Sequence, residues 1–337
     1  MKTQFKYIFL IACAALLSFY QAKAQKSQPQ MSDQVSTQVW ISVTECGAKG
    51  DGITDDTRAI QSALDLCRDK GGGTVYFPRG IYLLGTLLFD SDNYHVSSAL
   101  HVYSEETLLF ERGATLKRAS GEVNHMLFTH NEKSDTGYEG CKNIAIIGAT
   151  VDENSHLDNS DTAFNITHGH DISITNCTFR NAKGSWHSIE VNSSRDVVIS
   201  GCLFHDNSNM EDVQMDAAVG SGNLGKDDAT GCQRILIENC TFHSDAHAAI
   251  GNHGSGIHRD IMITGCTFQG TGNDRAFITF TPQTQGVSVF ANTFIGEKNG
   301  GHTAVELNNL TEKAGTIIYN RFLGIDTPHR GGGIFKE

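Results

Sequence analysis

Ile172-Ser-Ile-Thr-Asn-Cys177-Thr-Phe179 is the stretch on which the fold turns, because its pattern returns five times downstream. The later copies read Val198-Ile-Ser-Gly-Cys202-Leu-Phe204, Ile235-Leu-Ile-Glu-Asn-Cys240-Thr-Phe242, Ile261-Met-Ile-Thr-Gly-Cys266-Thr-Phe268, Val287-Ser-Val-Phe-Ala-Asn-Thr-Phe294 and Ile317-Ile-Tyr-Asn-Arg-Phe322. Their phenylalanines step by 25, 38, 26, 26 and 28 residues, so one unit is about 26 residues long and the second interval carries an insertion of roughly a dozen. A period of this size marks stacked units that bury their apolar faces only against one another. Each unit holds short alternating segments bounded by Gly, Asn or Ser, with no room for a crossover helix. The expected architecture is therefore a parallel β-helix whose coils pair about 4.8 Å apart and whose apolar residues point into the tube at period two.

Composition agrees with that reading. Gly is abundant (35) and Pro scarce (4) among 337 residues, which suits many tight turns rather than a helical bundle or a Pro-rich linker. Four of the nine cysteines, Cys177, Cys202, Cys240 and Cys266, share one repeat position, two residues before the phenylalanine. They are read as a ladder of small free-thiol hydrophobes, with disulfides between neighbouring rungs as the competing reading.

Outward from the repeats, residues 1–24 place Lys2 and Lys6 ahead of an apolar run, with Ala22-Lys23-Ala24 as a small-x-small cleavage site. This is read as a secretory signal peptide, with Cys13 as a lipoprotein alternative. Residues 25–38 are read as a flexible leader, and 39–337 as a single β-helix domain. No other stretch is long and apolar enough to cross a bilayer, so the expectation is an exported, periplasmic or extracellular protein. The net charge of −12 becomes −15 once Lys2, Lys6 and Lys23 leave with the signal, which argues against a nucleic-acid partner. Ahead of the repeats, Thr54-Asp55-Asp56 followed by Ala59, Ile60, Ala63, Leu64 and Cys67, and ended by Gly71-Gly72-Gly73, predicts an amphipathic helix covering the first coil. Strands are expected at 74–77 and 81–84.

The run Cys46-Gly-Ala-Lys-Gly-Asp51-Gly-Ile-Thr-Asp55-Asp56-Thr-Arg-Ala-Ile60-Gln, with Gly71-Gly-Gly-Thr-Val-Tyr-Phe-Pro78-Arg-Gly80-Ile-Tyr82, resembles the N-terminal cap of the pectate-lyase superfamily and polygalacturonase-like glycoside hydrolases. The resemblance implies an all-β, right-handed parallel β-helix with an N-terminal capping α-helix, acting on a polysaccharide or oligosaccharide. It is specific for architecture and not for activity, since hydrolases, lyases and epimerases share the scaffold. Of the family's polygalacturonase segments, Asn209-Met210-Glu211-Asp212 falls where Asn-Thr-Asp lies. Ser244-Asp245-Ala246-His247 falls where an Asp-Asp pair lies, with only Asp245 matched. Gly251-Asn252-His253-Gly254 looks like Gly-His-Gly but sits one coil early, and no Arg-x-Lys triplet follows it.

Three segments stack after the repeats: Trp186–Asn192, Met210–Asp216 and His247–His253. If Ile189, Val213 and Ile250 point inward, period two sends Ser188/Asp212/Ala249, Glu190/Gln214/Gly251 and Asn192/Asp216/His253 outward. Opposite parity would instead expose His187, Glu211 and Ala248. On the first parity Glu190 lies roughly 8 Å from Asp212 and from Asp216, inside the separation that an inverting glycosidase needs. Catalytic candidates are accordingly Asp212, Asp216, His253, Glu190 and Asp245. Substrate-binding candidates are Trp186, His187, Gln214, His247 and Arg275, the last as a bidentate carboxylate ligand. His168-Gly169-His170-Asp171 lacks further partners for zinc, so no metal site is assigned and no cofactor is expected, calcium being the one ion that the acidic column would suit. The expected activity is hydrolysis of a glycosidic bond by carboxylate acid and base. A β-eliminating lyase on a uronic-acid polymer and a non-catalytic glycan-binding solenoid are the alternatives.

Overall fold

The computed structural model describes residues 39–90, 97–132, 134–154, 156–157, 162–184, 186–217, 228–253, 256–270, 276–296 and 302–336. The signal and leader assigned to residues 1–38 lie outside them. Among the described residues, parallel strands stack into three sheets of eleven, ten and nine strands, each coil contributing one strand to each sheet. The repeat register is the one the sequence spacing requires. Ile174, Ile199, Ile237, Ile263, Val289 and Ile317 align rung on rung in the eleven-stranded sheet, all completely buried.

After each of those strands the chain turns through one left-handed residue: Asn176, Gly201, Asn239, Gly265, Ala291 and Tyr319, with φ between 52° and 64°. Asn and Gly enter that region at least cost. They also alternate for space, since a Cβ on Gly201 or Gly265 would come within 2.6 Å of the amide oxygen of Asn176 or Asn239 below it. The next residue is a cysteine in the first four and Asn292 or Asn320 in the last two. Cys202, Cys240 and Cys266 set their sulfurs 3.6–3.7 Å from the carbonyls of Ile174, Ile199 and Ile237, and all eight cysteines of the described residues are free thiols. The phenylalanine two positions on stands in the ten-stranded sheet. Rings 179, 204, 242, 268, 294 and 322 stack with centroids 4.7–5.4 Å apart and planes within 13° of parallel. Burying each ring is worth about 1.5–3 kcal/mol, and stacking adds about 0.5–1.5 kcal/mol per pair.

Helix α1 (Thr57–Asp69) buries Ile60, Ala63, Leu64 and Cys67 completely, the face its spacing selects. The expected strands run Gly73–Phe77 and Gly80–Leu84. The helix also closes a sheet edge by chemistry. Buried Gln61 accepts from the His101 amide (2.9 Å) and donates to its carbonyl (3.2 Å), taking the place of a neighbouring strand on the edge strand Ser98–Val102 of the nine-stranded sheet. Asp55 and Asp56 divide the labour at its start. Asp55 accepts from the Thr57 amide, while Asp56 turns back to accept from the amides of Lys49 and Gly50. Among the described residues no helix is long and apolar enough to span a membrane.

Candidate active site

The candidate residues converge on the outer face of the nine-stranded sheet, on strands His187–Asn192, Glu211–Asp216 and Ala248–Asn252. Ile189, Val213 and Ile250 are paired in register and point inward, as do Val191 and Met215, all completely buried. Glu190, Gln214, Gly251 and Thr279 then form one outward column, and Asn192 pairs with Asp216 in the next.

The first outward column differs from the expectation. Ser188, Asp212 and Ala249 do not face out. Ser188 donates to the buried carboxylate of Glu153 (2.8 Å), Asp212 accepts from Asn207 (2.7 Å) and Ser244 (2.6 Å), and Ala249 belongs to the apolar core. The ladder is irregular at this position: pairing passes from His187, Glu211 and Ala248 directly to Ile189, Val213 and Ile250, and on the third strand the amides of Ala249 and Ile250 both donate to the carbonyl of Phe277 (2.9 and 3.0 Å). Two successive residues therefore turn inward and parity reverses ahead of them. Asp212 is withdrawn from solvent entirely, and burial pushes its carboxyl up to about 7 against the two hydrogen bonds that hold it.

The same reversal brings Glu211 to the outer face. Its Oε2 lies 3.1 Å from Nδ1 of His187 and its Oε1 lies 3.4 Å from Nε2 of His253. One donor atom from each of the three residues falls within 4.8 Å of the others. Burial disfavours charge on Glu211, but the two imidazoles outweigh it and hold the carboxyl at about 2. The side chains of Glu211 and His187 are 0% and 4% exposed, whereas that of His253 is 42% exposed, so the cluster opens to solvent through one ring. His187 and His253 meet edge to face at 6.0 Å, and Trp186 stands edge-on to His187 at 6.2 Å.

Two carboxyl groups flank this cluster in different surroundings. Glu190 is buried and its charge is met by three donors: Thr162 (3.1 Å), Asn165 (3.0 Å) and Asn192 (2.9 Å). Asp216 is half-buried. Burial, with the charge of Glu190 adding to it, lifts its carboxyl to about 6, although the Ala217 amide (2.7 Å) and both imidazoles favour ionisation. Gln214 lies between them and donates to Asp216 at 3.5 Å. Beyond His253 the face continues as an open cleft of about 370 Å³ lined by Asn252, His253, Thr279, Thr281, Glu306 and Asn308.

Of the residues singled out from sequence, Glu190, Gln214, Asp216, His187, His253 and Trp186 are brought together. Asp212 lies beneath them. Asp245 and His247 are exposed in the turn ahead of Ala248–Asn252, outside the converging group, and Arg275 lies outside the described residues. Sequence reasoning passed over Glu211, because strict alternation sends it inward. The available signal was size, since Ser188, Asp212 and Ala249 are all small enough for a crowded corner. His168 and His170 part company: the Nδ1 of His168 meets the Gly137 carbonyl and that of His170 meets Asp171, each at 2.8 Å.

A model of the family described as "Rhamnogalacturonase A/epimerase, pectate lyase-like" matches residues 40–267. Plasmin and fibronectin-binding protein A of Streptococcus pneumoniae is 29% identical over 177 residues, covering 49% of this chain and 24% of that protein. A probable polygalacturonase of Arabidopsis thaliana is 24% identical over 276 residues, covering 69% and 59%. The chain thus spans between about a quarter and three-fifths of these relatives' length. The crystal structure of PfbA, a surface adhesin of Streptococcus pneumoniae, superposes with a TM-score of 0.68 at 24% identity, covering 85% of this chain and 72% of that one.

Proposed function

The chain belongs to the rhamnogalacturonase A/epimerase, pectate lyase-like family, and from that premise we propose that it is an exported enzyme that hydrolyses glycosidic bonds of a polysaccharide on the outer face of its nine-stranded sheet. The observation that carries the reading is the pair Asp216 and Glu190. The first is lifted to about 6 and can keep a proton, while the second is oriented by three hydrogen-bond donors. A carboxyl lifted by burial suits the acid, and a neighbouring carboxyl oriented by hydrogen bonds suits the base. One rung and two residues separate them, roughly 8 Å, which leaves room for a water between base and sugar. Asp216 would protonate the leaving glycosidic oxygen and Glu190 would take the proton of the attacking water. The cleft running from His253 to Glu306 and Asn308 would seat further sugar units, with Trp186 as an apolar platform. The acidic net charge gives no long-range pull on a polyanion, so a uronic-acid substrate would depend on local contacts.

The test is a polysaccharide screen read for new reducing ends and for ultraviolet-absorbing unsaturated products together. Reducing ends without absorbance, lost in D216N, support hydrolysis. Absorbance rising with cleavage would replace it with β-elimination. The similarity to plasmin and fibronectin-binding protein A favours a second reading, a binding solenoid without turnover. Glycan retention by both wild type and D216N, with no product from any polymer, would establish that one.

A further inference from the structure

We propose that His187, Glu211 and His253 bind one divalent first-row transition-metal ion of the zinc type. Two imidazoles and one carboxylate are a donor set that zinc uses with an open fourth position. The three donors are close enough to converge on one ion after small side-chain rotations, each imidazole now facing a different oxygen of Glu211. A tetrahedral ion with bonds of about 2.0–2.1 Å holds its donors roughly 3.3–3.4 Å apart, and the carboxylate–imidazole separations are 3.1 and 3.4 Å, with the three donor atoms all within 4.8 Å of one another. Glu211 reaches the site along Gly251. A Cβ there would lie 2.9 Å from its Cγ and 3.2 Å from its Oε1, and Gly251 has no left-handed φ to explain its identity. A glycine inside a strand with ordinary backbone marks close approach by another group. Exposure is graded correctly for access: two donors are sealed and His253 is 42% exposed beside the cleft, where a sugar hydroxyl or carboxylate oxygen could complete the coordination. Calcium does not suit the site, because it takes oxygen donors in sixes to eights.

The competing account is a metal-free pair of imidazoles sharing one carboxylate, and direct binding separates the two. Chelator-stripped, tag-free protein titrated calorimetrically with zinc chloride should take up one ion per chain. H187A, E211Q and H253A should each weaken uptake by about 100-fold or more, while H243A, which alters an exposed histidine outside the cluster, should bind as wild type. Should H253A fail to fold by circular dichroism, H253Q retains a comparable polar side chain and carries the same expectation. The proposal is overturned if wild type shows no saturable uptake, if E211Q and H253A bind like wild type, or if millimolar calcium displaces the zinc. Uptake is read without substrate, so the outcome is independent of the proposed hydrolysis.

Discussion

Glu211 and Asp212 are neighbours in sequence and opposites in environment. One is held ionised at about 2 between two imidazoles on the outer face, and the other is lifted by burial to about 7 between Asn207 and Ser244. Their substitutions should therefore separate. E211Q should leave folding intact and lower turnover, because it removes the charge that orients His187 and His253. D212A should chiefly destabilise, by about 1–3 kcal/mol, because it leaves two buried donors unmet. Thermal melts and initial rates on the same preparations check both. Asp216 governs the pH profile. Its carboxyl must carry a proton to act as acid, so kcat/KM should fall as the pH rises through about 6. D216N should cost about 10²–10⁴ in rate, the usual worth of general acid catalysis. A profile flat from pH 5 to about 7.5, the span over which such an acid would lose its proton, would remove Asp216 from that role.

The element that matters most is the strand Ala248–Asn252 with its bulge. There the amides of Ala249 and Ile250 share the Phe277 carbonyl, and the register to the strand below passes from Glu211–Ala248 to Val213–Ile250, leaving Asp212 and Ala249 out of the ladder. Gly251 is part of the same device, so G251A should push Glu211 off its partners. The expected result is at least a tenfold loss of turnover, with a stability cost of about 1–3 kcal/mol from overpacking. The ring and sulfur ladders are elements of another kind, repeated and replaceable only at a cost. F242A should destabilise by about 3–5 kcal/mol, since its ring is sandwiched at 4.7 and 4.9 Å between Phe204 and Phe268. The cysteines beside them are buried; away from the ladder, burial raises the thiols of Cys141 and Cys232 to about 12. Unreduced protein denatured with urea should titrate all eight thiols of the described residues, and a shortfall of two or more would mean cross-rung disulfides.

Over the whole molecule, buried acids set how stability responds to pH. Burial lifts Glu106 and Glu153 to about 8 and Asp212 to about 7, so the folded chain keeps protons that the unfolded chain has released. Their contribution is complete at low pH and is lost as the pH climbs through those values. His101 and His258, depressed by burial to about 3 and 4, act oppositely, but their contribution is complete above their ordinary value of 6.5. Melting temperature should therefore fall between about pH 6.5 and 8.5, and the fall should shrink in E153Q. An increase over that interval would contradict these burials. The tube itself was legible in the sequence, because four successive repeats carry one local instruction, two inward β-branched residues, a left-handed Asn or Gly, a small cysteine and a ring, and two more keep its apolar residues and its ring. Local rules suffice when every unit contacts only its neighbours. The helix face and the strands after it were legible for the same reason. What the sequence could not decide was which of two adjacent acids meets the outer-face imidazoles, because the break in alternation is a feature of strands paired between coils, where Glu211 stands beside His187 and Ala248. Alternation is a property of one strand. Its reversal belongs to the stack, and only the packed coils place Glu211 between His187 and His253.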